Sequence, residues 1–309
     1  MPSSLYAPAV QWAAILGDPA DPDVASWAAA ARELKIAVTI QPTPQLLFAN
    51  NPKFHLVVLA RQRPDDPEIA TEAINRGYHV VRPFPLDWGV ADAKRRYAHA
   101  REKQCVLRDG LLARFAATGP VPAWQLPSQR HITVVQDVVA DGVRPSVSER
   151  LLSPPSLYRL NQALAYADQA PAATMSVPVS HGGNVASLLL LFPNGNQVNL
   201  ITRWGAKAAR DTLQIVAGAV RMTFDRATPD RAVMGTPDAL ESLAVPHLGL
   251  CRMRLLAEVR DAILDRDFEP PAVDRMLLRV VEAVEAALML SNQSPRPDSR
   301  DTVTSLSFR

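Results

Sequence analysis

The chain has 309 residues, 48% hydrophobic and 21% charged, which is material for two ordinary cores and more length than one small domain uses. Lysine and arginine number 33 against 31 aspartates and glutamates, and the net charge of +2 comes with no block of like charge, which argues against a nucleic-acid partner or an anionic membrane surface. Cys105 and Cys251 stand far apart with no Cys-x-x-Cys and no His/Cys cluster, and the longest apolar runs, such as Ala186 to Phe192, fall far short of the ~20 residues that cross a bilayer. The expectation is a reduced, cytoplasmic protein with no membrane span, no export signal and no metal site; His55, His79 and His99 have no ligand spacing.

From Gln11 to Arg130, strand-like and helix-like segments alternate at short intervals, the pattern of a mostly parallel sheet with covering helices. Ala13 to Leu16 reads as a buried strand ending at Gly17-Asp18, and Asp21-Pro22 supplies an N-cap and a first-turn proline for a helix from Asp23 to Leu34. Ile36 to Ile40 is a second strand, Pro44 to Ala49 a short helix, and Phe54 to Ala60 a fully apolar central strand. A helix from Asp66 to Arg76, a strand from Tyr78 to Val81, a helix from Asp87 to Lys103 and a strand from Cys105 to Leu107 complete a Rossmann-like half. Past Gly119 prolines become frequent and the texture turns β-rich. Thr174 to Val179, Val185 to Phe192 and Gln197 to Arg203 alternate apolar with polar residues, and Asn194-Gly195 predicts a tight hairpin between the last two. Leu250 to Leu264 and Ala272 to Leu290 carry the spacing of amphipathic helices that cover a sheet or a neighbouring domain. The expected division is a Rossmann-like domain over 1–118, an α+β domain with an open-faced antiparallel sheet and covering helices over 119–291, and a flexible tail over 292–309.

Four stretches carry a resemblance. Leu46-Leu47 through Leu56 to Ala60 comes first, then Glu68-Ile69-Ala70 through Gly77 to Val81, ending at Pro85-Leu86. Leu107 to Phe115, closing with Arg114-Phe115, and Phe192-Pro193-Asn194-Gly195 follow, with Asp261-Ala262-Ile263 and Val280 to Ser291 as closing helices. In this order and spacing the chain resembles the Gfo/Idh/MocA family of sugar and inositol dehydrogenases over most of Ala13 to Ser291. The resemblance implies a nucleotide-binding Rossmann half, an open-faced sheet half and an NAD(P) cofactor.

The departures fall where that chemistry would lie. The family's opening Gly-x-Gly-x-x-Gly turn lets a pyrophosphate approach the backbone at a helix N-terminus. In one register Ile15 to Pro22 takes that place, with Pro19 and Pro22 at the later glycine positions. In the other, which fits better because it runs without a gap from Leu16 to Ala60, the same segment is the family's second strand. Asp18 is then the acid that meets a cofactor ribose, and the first βα unit is missing. Capping chemistry is the preferred role for Asp18. The Glu and Lys of the family's E-K-P motif align with Pro83 and Phe84, and a phenyl ring cannot donate to a substrate hydroxyl. The family's substrate-facing histidine and second aspartate align with Tyr158 and Asn161, in a register anchored by Pro171; Tyr158 is the one weak candidate acid, with Arg159 as a nearby cation. Arg61, Arg63 and Arg82 follow two neighbouring strand ends and are candidates, with Phe84 and Asn161, for a cleft that takes an anionic ligand or a partner. His181 to Asn184 reads as a loop, and Ser153-Pro154-Pro155-Ser156 as a turn leading into a helix.

These readings point to a degenerate oxidoreductase-family protein without dehydrogenase activity and with no cofactor, acting by binding a ligand or protein partner and self-associating through its second sheet. The alternative is an NAD(P)-dependent oxidoreductase with altered catalytic residues and a sugar, imine or tetrapyrrole-type substrate.

Overall fold

The computed structural model describes residues 10–49, 54–61, 63–82, 89–109, 112–118, 120–140, 142–143, 145–167, 175–176, 179–182, 184–236, 238–293, 302–304 and 307–308. The chain opens with β1 (Trp12–Leu16), α1 (Pro22–Glu33), β2 (Ala37–Gln41), α2 (Pro44–Phe48), β3 (Leu56–Leu59), α3 (Asp66–Asn75), β4 (His79–Arg82), α4 (Gly89–Glu102), β5 (Leu107–Asp109) and α5 (Ala113–Thr118). It continues through β6 (Arg130–Val138), α6 (Val147–Leu151), α7 (Pro154–Ala167), β7 (Met175–Ser176), β8 (Val179–Gly182), β9 (Val185–Leu191), β10 (Gln197–Trp204) and β11 (Arg210–Ala217). β12 (Val220–Asp225), β13 (Arg231–Thr236), β14 (Ala239–Ala244), α8 (Leu248–Asp265), α9 (Ala272–Gln293), β15 (Thr302–Thr304) and β16 (Ser307–Phe308) complete it.

Two compact units result, one of Met1–Leu112 with His247–Pro271 and one of Ala113–Pro246 with Ala272–Arg309. This differs from a single boundary at 118/119. α5 packs on α7 of the second unit, and α8, expected with the second sheet, packs on α1 of the first. The swap has a local cause: α1 buries Val24, Trp27, Ala28 and Ala31 along one stripe, and the guanidinium of Arg252 on α8 lies 5.4 Å from the centroid of the Trp27 ring.

The first unit holds a five-stranded parallel sheet in the order β2-β1-β3-β4-β5. β3 is buried along its whole length, as a strand covered on both faces requires. The order reverses at β1, whose neighbours are β2 and β3. The turn after β1 therefore occupies the switch point where doubly wound sheets receive ligands. Gly17 makes that turn at φ 153°, and a Cβ there would sit 2.5 Å from Val24 Cγ2, so α1 closes on the strand over a glycine.

In the second unit the sheet runs β14-β13-β12-β11-β6-β10-β9-β7-β16, with β8 and β15 attached off this path. It is mixed and not antiparallel throughout: β6 enters between β10 and β11, pairing antiparallel with β11 and parallel with β10. The long connection through α6 and α7 returns the chain to the starting end of the sheet and permits the parallel pair. β9 and β10 alternate as expected; Ala186, Leu188, Leu190, Val198 and Leu200 are buried, while Val185 and Leu191 are exposed. The β9–β10 loop is one residue longer than a two-residue turn. Phe192 pairs with Asn196, and Gly195 takes φ 82°. His181 and Gly182 lie in β8, not in a loop, and the expected tail contributes β15 and β16, which pair with β8 and β7. The expected strand over 174–179 is described only at 175–176 and 179; Phe84 and its flanking prolines lie outside the described residues.

Candidate functional site

The carboxyl edge of the parallel sheet begins at the β1–α1 turn. Asp18 Oδ1 accepts from the Ala20 amide at 2.8 Å, and Asp21, the N-cap of α1, accepts from the Asp23 amide at 2.8 Å. Asp18 thus stabilises the turn while Asp21 caps the helix. Asp23 follows in the first turn, so three carboxylates surround a helix end that carries about half a positive charge. Two arginines hold Asp21 and Asp23. Arg61, just past β3, places Nε 2.5 Å from Asp21 and 3.7 Å from Asp23. Arg252 places Nη2 2.5 Å from Asp23 Oδ1. The amide donors and positive dipole that such a turn offers a phosphate are here engaged by the chain's own acids.

The three expected arginines do not form one exposed cluster. Arg61 is exposed and paired with Asp21. Arg63 pairs with Asp65 at 3.2 Å and donates its backbone N–H to Asp66. Arg82 is 2% exposed and bonded to Asp109 Oδ1 at 2.9 Å, while Tyr97 donates to the other oxygen at 2.7 Å. A charge on an interior strand end is tolerated because its counter-charge is buried with it, which removes Arg82 from the rim.

On α7, Tyr158 is half-buried and Asn161 fully buried. Asn161 Oδ1 accepts from the Arg114 amide at 3.0 Å, and its Nδ2 donates to Asp274 at 3.4 Å, so the side chain ties α5, α7 and α9 together inside the second unit. Arg159, expected as a cation for Tyr158, is committed to Asp211: Nε donates to its carboxylate at 2.7 Å and Nη2 to its carbonyl at 2.9 Å, while Nη1 donates to Gln162. Consecutive helical residues face different directions, so adjacency in sequence did not make them a pair.

Two features had no sequence signal. Asp66 opens α3 nearly fully buried, and burial lifts its pKa to about 6 against the Arg63 N–H bond and the Arg82 charge. A cavity of ≈ 570 Å³ lies in the second unit at one end of its sheet, walled by Gln136, Thr202, Trp204 and Asp211 among others. Its polar wall is fixed from behind: Ser156 donates to Gln136 at 2.6 Å, and Arg159 holds Asp211. At the opposite edge of the first sheet, His79 is held neutral, its pKa lowered to about 4 by burial and by His55, while its Nδ1 accepts from the Val106 amide. Among the described residues no group of three or more metal ligands occurs, and no helix is long and apolar enough to cross a membrane.

No protein-family model matches the chain, and no curated protein does. Solved structures do. An inositol dehydrogenase homolog from Azotobacter vinelandii, complexed with NADH and myo-inositol, aligns over 98% of this chain and 98% of its own at TM-score 0.65 and 12% identity. A dehydrogenase (MviM) from Clostridium difficile aligns over 91% and 99% at TM-score 0.64 and 11% identity. The UDP-N-acetylglucosamine 3-dehydrogenase GnnA from Acidithiobacillus ferrooxidans aligns over 89% and 97% at TM-score 0.63 and 14% identity. The chain has the two-domain fold of the Gfo/Idh/MocA dehydrogenases, as the resemblance implied, at identities that speak to fold alone.

Proposed function

We propose that the chain is a dehydrogenase-fold protein that does not use a dinucleotide in the ordinary way and acts by binding a ligand or a protein partner. The observation that carries this is the acid-filled N-terminus of α1. A pyrophosphate brought to the Asp23 amide would meet the Asp21 and Asp23 carboxylates. At ~4 Å each like-charge contact costs about 4 kcal/mol at an effective surface dielectric. A charge-assisted hydrogen bond returns only about 1.5–3 kcal/mol, and the donors it needs already serve Asp18 and Asp21. Arg61 and Arg252 offset much of that repulsion, which leaves the prior use of the amide donors by Asp18 and Asp21 as the main obstacle. The pyrophosphate does not fit the residues present, so no reaction step is assigned to a dinucleotide. Apolar residues on the solvent face of the second sheet, Val185, Leu191, Val233 and Leu240, support self-association through that face.

A second reading, an NAD(P)-dependent oxidoreductase with altered catalytic residues, is favoured by Asp66, because a buried carboxyl with pKa near 6 suits a general acid at neutral pH. The experiment supplies NADH, NADPH and their oxidised forms with a panel of sugars, inositols and imines and follows nicotinamide absorbance. The proposal expects no turnover above background. Turnover that is lost in Asp66→Asn or Tyr158→Phe overturns it in favour of the second reading.

A further inference from the structure

The cavity in the second unit lies at the end of a sheet, and strand register sorts its charged residues between the two faces. Gln136 accepts from Ser156 and Asp211 from Arg159, both on α7, so these two side chains face the helices. Thr202 and Asp211 are the register partners of Gln136 on β10 and β11, and Trp204 is the partner of Val138 two residues on, which puts all of them on that helix-covered face. Arg203 and Arg210 are the partners of Asp137, one residue out of step, and take the opposite face with it. There Arg203 Nη1 lies 3.4 Å from the buried Asp137 Oδ1. Asp225, the partner of Thr212, goes with them and accepts from the Ala227 amide at 2.9 Å. Glu149 completes the capping box of α6. Of the four carboxylates around the cavity, Asp211 is thus the one that the sheet presents on its helix-covered face.

On that face one acid and one base remain open. Asp211 Oδ1 takes the Arg159 and Gln136 donors at 2.7 and 3.5 Å, while its Oδ2 is neither buried nor bonded among the described residues. Thr212 pairs with Asp225, and the Arg226 amide donates to the Asp211 carbonyl at 3.0 Å, which sets Arg226 directly opposite Asp211 on the same face, with Cβ atoms about 5 Å apart. Arg226 is exposed and has no side-chain partner among the described residues. The half-buried Trp204, Val138 and Pro155 add apolar walls. A lone anion at this place would meet Asp211, and a lone amine would meet Arg226. A ligand that carries both charges on neighbouring atoms answers both groups, and an apolar body fills the rest. We propose that this cavity binds an apolar α-amino acid, its ammonium at Asp211 Oδ2, its carboxylate at Arg226 and its side chain against Trp204 and Val138. The site gives the ligand-binding reading above a place and a chemistry, yet it stands independently of whether a dinucleotide binds the first unit.

The test is isothermal titration of the full chain with L-phenylalanine and L-leucine, alongside phenethylamine and 3-phenylpropionate, which each lack one of the two charges. L-Phenylalanine is expected to saturate with a dissociation constant below about 1 mM, and each one-charge analogue to bind at least tenfold more weakly. Arg226→Gln is expected to weaken L-phenylalanine at least tenfold, on the scale of one lost charged hydrogen bond, and to leave phenethylamine unchanged. The Arg226 side chain is exposed, so thermal unfolding of that variant should match the parent. Trp204→Leu gives a second route, weakening L-phenylalanine more than L-leucine. No saturable binding of L-phenylalanine, a one-charge analogue that binds as tightly, or an Arg226→Gln variant that binds as the parent does would each overturn the proposal. A titration with NADH in the same instrument separates its failure from failure of the reading of the first unit.

Discussion

Asp66 offers a prediction whose sign and size follow from its surroundings. The residue is 5% exposed; Oδ2 accepts the Arg63 N–H at 3.0 Å, and Oδ1 is buried without a hydrogen-bond partner among the described residues. Burial raises the carboxyl from 3.8 to about 6. The folded state therefore holds this proton more tightly than the unfolded state, and between pH 4 and 6 the native chain binds more protons at this position. Stability drawn from Asp66 is complete below pH 4, falls as pH rises through that window, and is absent above it. A gap of about two pH corresponds to about 3 kcal/mol. Asp66→Asn keeps the acceptor for Arg63 and removes the ionisation, although its amide group carries a pH-independent cost of its own. The quantity to measure is the stability difference between variant and parent at pH 4 and at pH 7.5, by urea unfolding followed with circular dichroism. The variant should gain about 1–3 kcal/mol on the parent between the two pH values, because every other titrating group is common to both proteins. A difference that stays constant with pH, or one that moves in favour of the parent, refutes the reasoning.

Arg82→Met strands the Asp109 carboxylate in a dry interior and should cost about 3–5 kcal/mol in urea unfolding, whereas the double change Arg82→Met with Asp109→Leu should recover most of that loss. Gly17→Ala meets both a φ of 153° and the Val24 methyl, and should destabilise the first unit by at least 2 kcal/mol in thermal unfolding; a neutral result would mean that the turn relaxes freely. The thiols of Cys105 and Cys251 are buried, and burial raises each pKa to about 11, so neither should react with a disulfide reagent in the native protein at pH 8, and both should react on unfolding.

What was legible in the sequence was what adjacent residues decide. Leu56–Leu59 announces a strand buried on both faces, and Asp21-Pro22 announces the start of α1, because runs of apolar residues and caps act over a few positions. Partners distant in the chain left no such trace. Arg252 reaches Asp23 across 229 residues and converts a plausible phosphate turn into a self-paired one. Arg82 follows a strand end like a rim residue, and only the register of β4 against β5 brings Asp109 beside it. The parallel pairing of β6 with β10 was illegible for the same reason, since alternation reports which face a side chain takes and says nothing of the neighbouring strand's direction. The cavity walls come from α6, α7 and the ends of four strands, none of which carries a motif.

The measurement that bears most directly on the acid-filled N-terminus of α1 is a calorimetric titration of the full chain with NADH and with NADPH at low salt, where electrostatic attraction to any available cradle would be strongest. No saturable binding of either is expected up to about 1 mM. A one-to-one isotherm with a micromolar dissociation constant for either cofactor would contradict it.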